Sequence, residues 1–222
     1  VSIGPYSIIE SDAKVGSGTS VGNFTTIKPG TTIGENCQIF HNCTIGEIPQ
    51  DLKYAGEKTF VQIGDNVIIR ESVTINKGTA AHGTTEIGSN VLLMGYVHVA
   101  HDCIIRNNVI FANLVTLGGH VEVNEWASIG GGVVIHQFCK VGSHVFVGGG
   151  YRIVQDVPPF IRAAKDPLEY SGINSTGLQR RGFSQKERNT IVQHINFSFL
   201  ICLVGIDAGI IIGIEKSTGY WV

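Results

Sequence analysis

Charge is scarce in this chain and falls to neither sign. Of 222 residues, 15% are charged, with 16 basic against 18 acidic side chains and a formal net charge of −2. A balance this close to neutral excludes binding of nucleic acid through bulk positive charge. Any acidic partner has to be met by a local basic patch. Cysteine is also sparse, and its spacing excludes more than its number does. Cys37, Cys43, Cys103, Cys139 and Cys202 include no C-x-x-C pair, which argues against a zinc site and against a disulfide framework. No secretory leader opens the sequence, so a reducing, cytoplasmic setting is expected. The first residue is Val1 rather than Met, from which further residues are expected upstream in the natural protein. Glycine, by contrast, is abundant at 29 residues. Low charge with many glycines suits short strands and tight turns rather than a helical bundle. The length allows one or two domains with a real core.

The chain carries an internal repeat. Counting in sixes from Ile3 meets Ile9, Val15, Val21, Ile27, Ile33, Ile39 and Ile45. The row resumes with Ile63, Ile69, Ile75, Ala81, Ile87, Leu93, Val99, Ile105, Phe111 and Leu117, and ends with Val123, Ile129, Ile135, Val141, Val147 and Ile153. Between 3 and 153 only Asp51 and Glu57 put a polar residue on this row. A period of six is neither helical nor a simple strand alternation. Two residues before the row runs a second one, small or β-branched: Ala13, Thr19, Thr25, Thr31, Cys37, Cys43, Val61, Val67, Val73, Cys103, Val109, Val115 and Val121. An offset of two puts both rows on one face of a short strand. Gly, Asn and Asp after the aliphatic position, as in Ile33-Gly34-Glu35-Asn36, supply turns. Three hexads close one triangular coil, and stacked coils make a parallel β-helix with a dry core. The expected fold is an all-β solenoid of hexapeptide repeats over residues 1–157, followed by a small, mainly helical segment over 158–222. Four of the five cysteines fall on the small-residue row and read as core filler.

Two interruptions leave the repeat. From Glu47 to Thr59 polar residues occupy the core rows, so this segment must loop out, and loops on rigid scaffolds are where binding residues gather. A shorter bulge is expected from Ala80 to Thr85 around His82. In the tail, Ser184 with Glu187 three residues on reads as a helix-capping box. Residues 195–214 then run apolar but are broken by Asn196, Ser198, Asp207 and glycines, which predicts a buried or subunit-packed helix rather than a membrane span.

His82, His101, His120 and His136 fall at nearly the same place in successive coils, with His98 close by. A column of histidines beside a polar excursion points to a site. Metal binding is one use for it, but acidic or thiolate companions are sparse, Asp102 being the only adjacent carboxylate. General-base catalysis fits better: a neutral imidazole takes a proton from an attacking sugar hydroxyl, and Asp102 orients the ring. A backbone N–H at Gly118-Gly119 is a candidate oxyanion donor, and glycine there would let an acyl carbonyl approach closely.

Several of these segments resemble the UDP-N-acetylglucosamine O-acyltransferases. They are Val99-Ala100-His101-Asp102-Cys103, Gln50-Asp51-Leu52-Lys53-Tyr54-Ala55-Gly56-Glu57, Ile69-Arg70-Glu71-Ser72-Val73-Thr74-Ile75, His136-Gln137-Phe138, Gln155-Asp156-Val157-Pro158-Pro159 and Gly177-Leu178-Gln179-Arg180-Arg181-Gly182-Phe183-Ser184. The resemblance implies a left-handed β-helix that trimerises, with active sites between subunits and no cofactor. It implies transfer of a 3-hydroxyacyl group from acyl carrier protein to the 3-hydroxyl of UDP-N-acetylglucosamine, the opening step of lipid A synthesis. Carried over residue by residue, His101 is the base, Asp102 its orienter and the Gly119 N–H the oxyanion donor. Gln50, Asp51, Lys53, His98 and His120 line the sugar and acyl head, and His136 and Gln137 meet the hydroxyacyl part. Asn174, Arg180 and Arg181 hold the nucleotide, and Gly149 leaves room for a long chain. Arg70, Lys77, Arg106, Lys140 and Arg152 are candidates for docking the acidic carrier protein. The chain departs from the family at Thr176, where an acidic residue commonly contacts uracil, and in its apolar tail. Rival readings are the related N-acyltransferase of the same pathway, a zinc enzyme of the carbonic-anhydrase β-helix type, and a non-catalytic scaffold.

Overall fold

The structure, a computed structural model, describes the backbone of residues 1–204 and the side chains of residues 1–196. It divides into two compact units, Val1–Asn174 and Ser175 onward.

The first unit is a left-handed parallel β-helix. Its strands, most only two residues long, fall into three sheets that form the faces of a triangular prism. The first sheet includes Ser2–Ile3, Ile68–Ile69 and Ile110–Phe111. The second includes Thr74–Asn76, His98–Val99 and Thr116–Leu117, and the third includes Phe60–Ile63, Thr84–Ile87 and Ile104–Ile105. Neighbouring rungs pair in parallel at constant register, as in Leu92↔Ile110 and Leu93↔Phe111. The aliphatic row points inward: Ile69, Ile75, Leu93, Val99 and Phe111 are fully buried, and Thr25, Cys43, Val67, Val97 and Cys103 of the small row lie beside them. Each such aliphatic side chain contributes about 1.5–3 kcal/mol through burial.

Nearly every corner places one residue in the left-handed backbone region. Asn36, Asn66 and Asn108 suit that conformation, but Tyr6, Phe24, Tyr96, Leu114, Trp126 and Phe138 adopt it too. For non-glycine residues it costs roughly 1–2 kcal/mol. The backbone N–H of most corner residues donates to a carbonyl of the coil before it, for example Leu114 to Gly95 at 3.0 Å and Asn66 to Glu35 at 2.9 Å. Aromatic corner residues also stack along the axis, Tyr6 on Phe24 at 5.2 Å and His144 on Phe160 at 5.3 Å.

The first interruption leaves the prism where the sequence places it; the second begins earlier than expected and ends at 83, because Thr84 and Thr85 already pair in the strand Thr84–Ile87. Residues 48–59 connect Thr44–Glu47 to Phe60–Ile63, and residues 77–83 connect Thr74–Asn76 to Thr84–Ile87. Both therefore emerge at the corner between the second and third sheets. The first excursion takes up two whole hexads and the second takes up one, so the inward row resumes in phase at Ile63 and Ile87. Ala81, on the row by count, is exposed because it lies on the second excursion.

The β-unit continues past the expected 157/158 division. Val157 bridges to Val141, Ile161–Ala164 adds a parallel strand to the first sheet, and Glu169–Ile173 turns back antiparallel to cap it. The division falls at 174/175 because residues 158–174 pair back onto the prism. The second unit holds helix α1 (Ser175–Arg180) and helix α2 (Gln185–Val204). The capping box forms: the Ser184 N–H donates to Glu187 Oε2 at 2.7 Å and the Glu187 N–H to Ser184 Oγ at 3.3 Å. Among the described residues no helix is long and apolar enough to cross a membrane. The apolar stretch 195–214 lies partly outside the described residues.

Candidate active site

The corner between the second and third sheets assembles the site. His101, Asp102, Gly119, His120, His136 and Gln137 sit there on three successive coils, and both excursions rise from it. Asp102 occupies the left-handed turn position and its side chain is fully buried. Its carboxylate is nevertheless well served. Thr79 donates its backbone N–H to Oδ1 at 2.9 Å and its hydroxyl to Oδ2 at 2.6 Å. His101 Nδ1 lies 2.9 Å from Oδ2, and the Asp102 N–H donates to Thr85 Oγ1 at 2.9 Å. Burial raises the proton affinity of Asp102, but the hydrogen bonds from Thr79 and His101 outweigh it and hold the carboxyl below its ordinary value.

With Nδ1 turned to Asp102, the His101 ring lies against Gly119. A Cβ on that glycine would stand 2.5 Å from His101 Cε1 and 2.6 Å from Nε2. Gly119 is buried, and its backbone N–H has no hydrogen-bond partner among the described residues. An imidazole with a carboxylate behind Nδ1, and an unpaired N–H beside its other edge, is the arrangement that base-assisted acyl transfer requires. His120 closes the site from the next coil. It meets His101 edge-on at 5.0 Å between centroids and stacks on Phe138 at 4.6 Å, with Nε2 3.8 Å from Asp102 Oδ2. Burial, with the charge of His101 as a smaller contribution, lowers the proton affinity of His120 despite the attraction of Asp102.

His98 lies just upstream on the second sheet. Burial lowers its proton affinity as well, and its Nδ1 is 2.8 Å from Thr74 Oγ1. The first excursion presents Gln50 and Lys53 to solvent, and Asp51 Oδ1 accepts the Lys53 N–H at 2.9 Å. His136 and Gln137 are exposed one coil beyond Gly119, and His136 Nδ1 lies 3.1 Å from the Gln137 carbonyl. Sequence reasoning missed Thr79 and Thr85, the two threonines that hold Asp102. Both read as loop or row residues, and nothing in their spacing points to a carboxylate on the next coil.

Other expected residues lie elsewhere. Gly149 sits exposed at the corner between the first and second sheets, against Gly131. Asn174 is buried by the third corner and donates from Nδ2 to the His144 carbonyl at 3.0 Å. Arg180 ends α1 in the second unit, and burial lowers the proton affinity of Arg181. Most of the candidate docking cations already have partners: Arg70 pairs with Glu71, Lys140 with Glu122 and Arg152 with Asp166, while Lys77 donates to the Pro29 carbonyl.

His101, Asp102 and His120 are also the one group among the described residues with a spacing that could hold a metal ion. An ion there would have to break the 2.9 Å contact between His101 Nδ1 and Asp102 and compete with the Thr79 hydroxyl for the same oxygen. The buried cysteines each point into the core on their own. Cys103 Sγ donates to the Gly118 carbonyl at 3.2 Å and Cys43 Sγ to the Arg70 carbonyl at 3.1 Å.

Comparison with known proteins adds a second line. A family profile described as UDP-N-acetylglucosamine O-acyltransferase, domain 2, matches residues 156–199, and one described as bacterial transferase hexapeptide matches residues 12–46 and 84–119. The chain is 50% identical over 192 residues to the acyl-[acyl-carrier-protein]–UDP-N-acetylglucosamine O-acyltransferase of Thermodesulfovibrio yellowstonii, spanning 86% of this chain and 74% of that protein. Among solved structures it is similar to LpxA of Acinetobacter baumannii, at 41% identity and a TM-score of 0.84, covering 86% of this chain and 74% of that one. It is also similar to the UDP-N-acetylglucosamine acyltransferase LpxA of Bacteroides fragilis, at 42% identity and a TM-score of 0.79, covering 85% and 81%.

Proposed function

We propose, because this chain belongs to the UDP-N-acetylglucosamine O-acyltransferase family, that it transfers an acyl group from acyl carrier protein to UDP-N-acetylglucosamine, the first step of lipid A biosynthesis. The acyl group is a 3-hydroxyacyl chain and the acceptor is the 3-hydroxyl of the sugar. His101 Nε2 takes the proton of that hydroxyl as the oxygen attacks the thioester carbonyl. The Gly119 N–H donates to the oxyanion of the tetrahedral intermediate. Collapse breaks the C–S bond, the imidazolium returns its proton to the departing thiolate, and the products are the O-acylated sugar nucleotide and the free carrier thiol. Asp102 fixes the tautomer that leaves Nε2 free to accept, and it stabilises the imidazolium.

The observation that carries this reading is the alignment of a buried carboxylate, an imidazole and an unpaired backbone N–H at one corner: Asp102 is 2.9 Å from His101 Nδ1, and Gly119 lies against the other side of the ring. Gln50, Asp51 and Lys53, on the excursion that leaves the same corner, read the sugar together with His98 and His120. His136 and Gln137 extend the site along the axis towards the acyl group. Gly149 lies at a different corner from His101, so a groove that uses both needs a second copy of the chain. That requirement supports a homotrimer with sites between neighbours, and Asn174, Arg180 and Arg181 serve the nucleotide in that assembly. The setting is the cytoplasm, where acyl carrier protein and sugar nucleotides are found.

The test is incubation of purified protein with UDP-N-acetylglucosamine and a series of 3-hydroxyacyl carrier proteins, read by the mass of the product. A 3-O-acyl sugar nucleotide supports the proposal. With a 3-O-acylated glucosamine nucleotide offered as a second acceptor, acylation of its amine and none of UDP-N-acetylglucosamine would favour the related N-acyltransferase. Light scattering of the same preparation measures the trimer.

A further inference from the structure

The second excursion does more than carry the chain around the corner. Thr79 is buried, and it grips both oxygens of Asp102 at 2.9 and 2.6 Å, one through its backbone and the other through its hydroxyl. The same hydroxyl accepts the Ala81 N–H at 3.2 Å, and the Thr79 carbonyl accepts the Gly83 N–H at 2.7 Å, so the loop is folded around this residue. Gly78 packs close enough that a Cβ there would stand 2.9 Å from Asp102 Oδ1. One residue on, the Ala80 N–H donates to Glu57 Oε1 at 3.1 Å, while Glu57 Oε2 accepts the Ala55 N–H at 2.9 Å. Asn76, at the root of the second excursion, donates to the Ile48 carbonyl at the root of the first, at 3.0 Å. The two excursions therefore form one hydrogen-bonded frame that ends on the Asp102 carboxylate.

We propose that Thr79 is a positioning residue for the acyl transfer: it fixes the carboxylate that orients His101, and through Ala80 and Glu57 it ties that carboxylate to the loop bearing Gln50, Asp51 and Lys53. This rests on the assignment of His101 as the base. The hydroxyl is the element at stake, because the backbone donor to Oδ1 survives any side-chain change. Without the hydroxyl, Oδ2 keeps His101 alone, the carboxylate gains freedom to rotate, and it becomes a stronger acceptor towards the imidazolium. The groups that surround the pair are His120 from the next coil, 3.8 Å from Asp102, with His82 of the second excursion and Asp51 of the first acting on His120.

The experiment compares Thr79→Val, Thr79→Ser and the wild-type protein in the acyl-transfer assay across pH. Thr79→Val, nearly isosteric, should lower kcat by roughly 10-fold, the size of one hydrogen bond to a charged group. It should also move the acid limb of the kcat/KM profile to higher pH, because a less shared carboxylate holds the imidazolium proton more tightly. Thr79→Ser restores the donor and should stay within about 3-fold of wild type with an unmoved limb. Melting temperatures of all three forms record any loss of folding, which would lower the active fraction without moving the limb. Glu57→Gln leaves one of two donors facing an amide. It should lower kcat by a smaller factor, and that factor should not multiply with the Thr79→Val loss. A Thr79→Val protein with wild-type rate and profile overturns the proposal. Equal losses in the Val and Ser variants with no shift of the limb also overturn it, and fully multiplicative losses with Glu57→Gln remove the tie to the first excursion. If the wild-type protein itself makes no acylated product, it is the assignment of the activity that fails.

Discussion

Adding one methyl group at Gly119 tests the geometry of the site with a small change. The backbone of Gly119 is outside the left-handed region, so alanine fits its conformation, and only space is at issue. The new Cβ would stand 2.5 Å from His101 Cε1, 2.6 Å from Nε2 and 3.1 Å from Nδ1. Non-bonded carbons settle at about 3.5 Å or more, so the ring has to retreat by about 1 Å. His101 cannot retreat freely. Asp102 holds Nδ1 at 2.9 Å, and His120 stands edge-on at 5.0 Å. A displacement of that size breaks the contact with Asp102 or turns Nε2 away from the substrate, and a misplacement of about 1 Å costs on the order of 10²-fold in rate. The assay is kcat by mass of the acylated sugar nucleotide, with the melting temperature as the control for folding. In a His101→Ala background the same substitution meets an empty space and should cost little more, so the two losses should be far from multiplicative. A Gly119→Ala protein within about 3-fold of wild type would refute the claim that the ring works from this position.

Other expectations follow from neighbouring contacts. Asp102→Asn should lower kcat by roughly 10⁴-fold, as wrong-tautomer variants of triad aspartates do, and rate against pH with pure enzyme checks it. The stability that Asp102 gives the fold should be present above its ordinary value of 3.8 and lost as pH falls through its depressed folded value. Urea titrations of wild type and Asp102→Asn should therefore converge in strong acid, and a gap that widened there would contradict the direction of the shift. Burial pushes the Cys103 thiol up to about 12 and Cys43 up to about 11. Peptide mapping after alkylation at neutral pH should find both unmodified in the native protein and modified after denaturation. Gly149→Met should abolish use of long acyl donors while sparing short ones, as read from a donor series, because Gly149 is exposed at a glycine-lined corner where even a Cβ comes within 3.0 Å of the Gly131 carbonyl.

The period of six carried the architecture because the physics behind it is local and repeated. One inward aliphatic residue per short strand, with a small residue two places before it, leaves a triangular stack as the way to bury the row. Asp51 and Glu57 could not be buried on that row, so the long excursion was legible from two residues. Ala81 was not legible as an exposed residue, since alanine satisfies core and loop alike. The corners were readable where asparagine or glycine stood and unreadable at Tyr6, Phe24, Leu114 and Phe138. There the contacts are with other coils, backbone hydrogen bonds from Phe24, Leu114 and Phe138 and ring stacking at Tyr6, Phe24 and Phe138, and neither is a property of the residue itself. His101 and Asp102 are neighbours in sequence, so their pairing was visible at once, and Gly119 and His120 followed from the coil length. Thr79 was hidden because an inserted loop has no register from which to predict its contact with Asp102. Asn174 read as a nucleotide ligand, and its contact with the His144 carbonyl depends on the antiparallel strand Glu169–Ile173, which the repeat does not encode.

The central claim is that His101 deprotonates a sugar hydroxyl that attacks an acyl carrier thioester. Its most direct test is the mass of the product formed from UDP-N-acetylglucosamine and 3-hydroxyacyl carrier protein by the wild-type protein and by His101→Ala, at equal concentration and with matched melting temperatures. The account predicts a 3-O-acylated sugar nucleotide with the wild type and a rate at least about 10²-fold lower with the variant. Product formation at an undiminished rate by His101→Ala would contradict it.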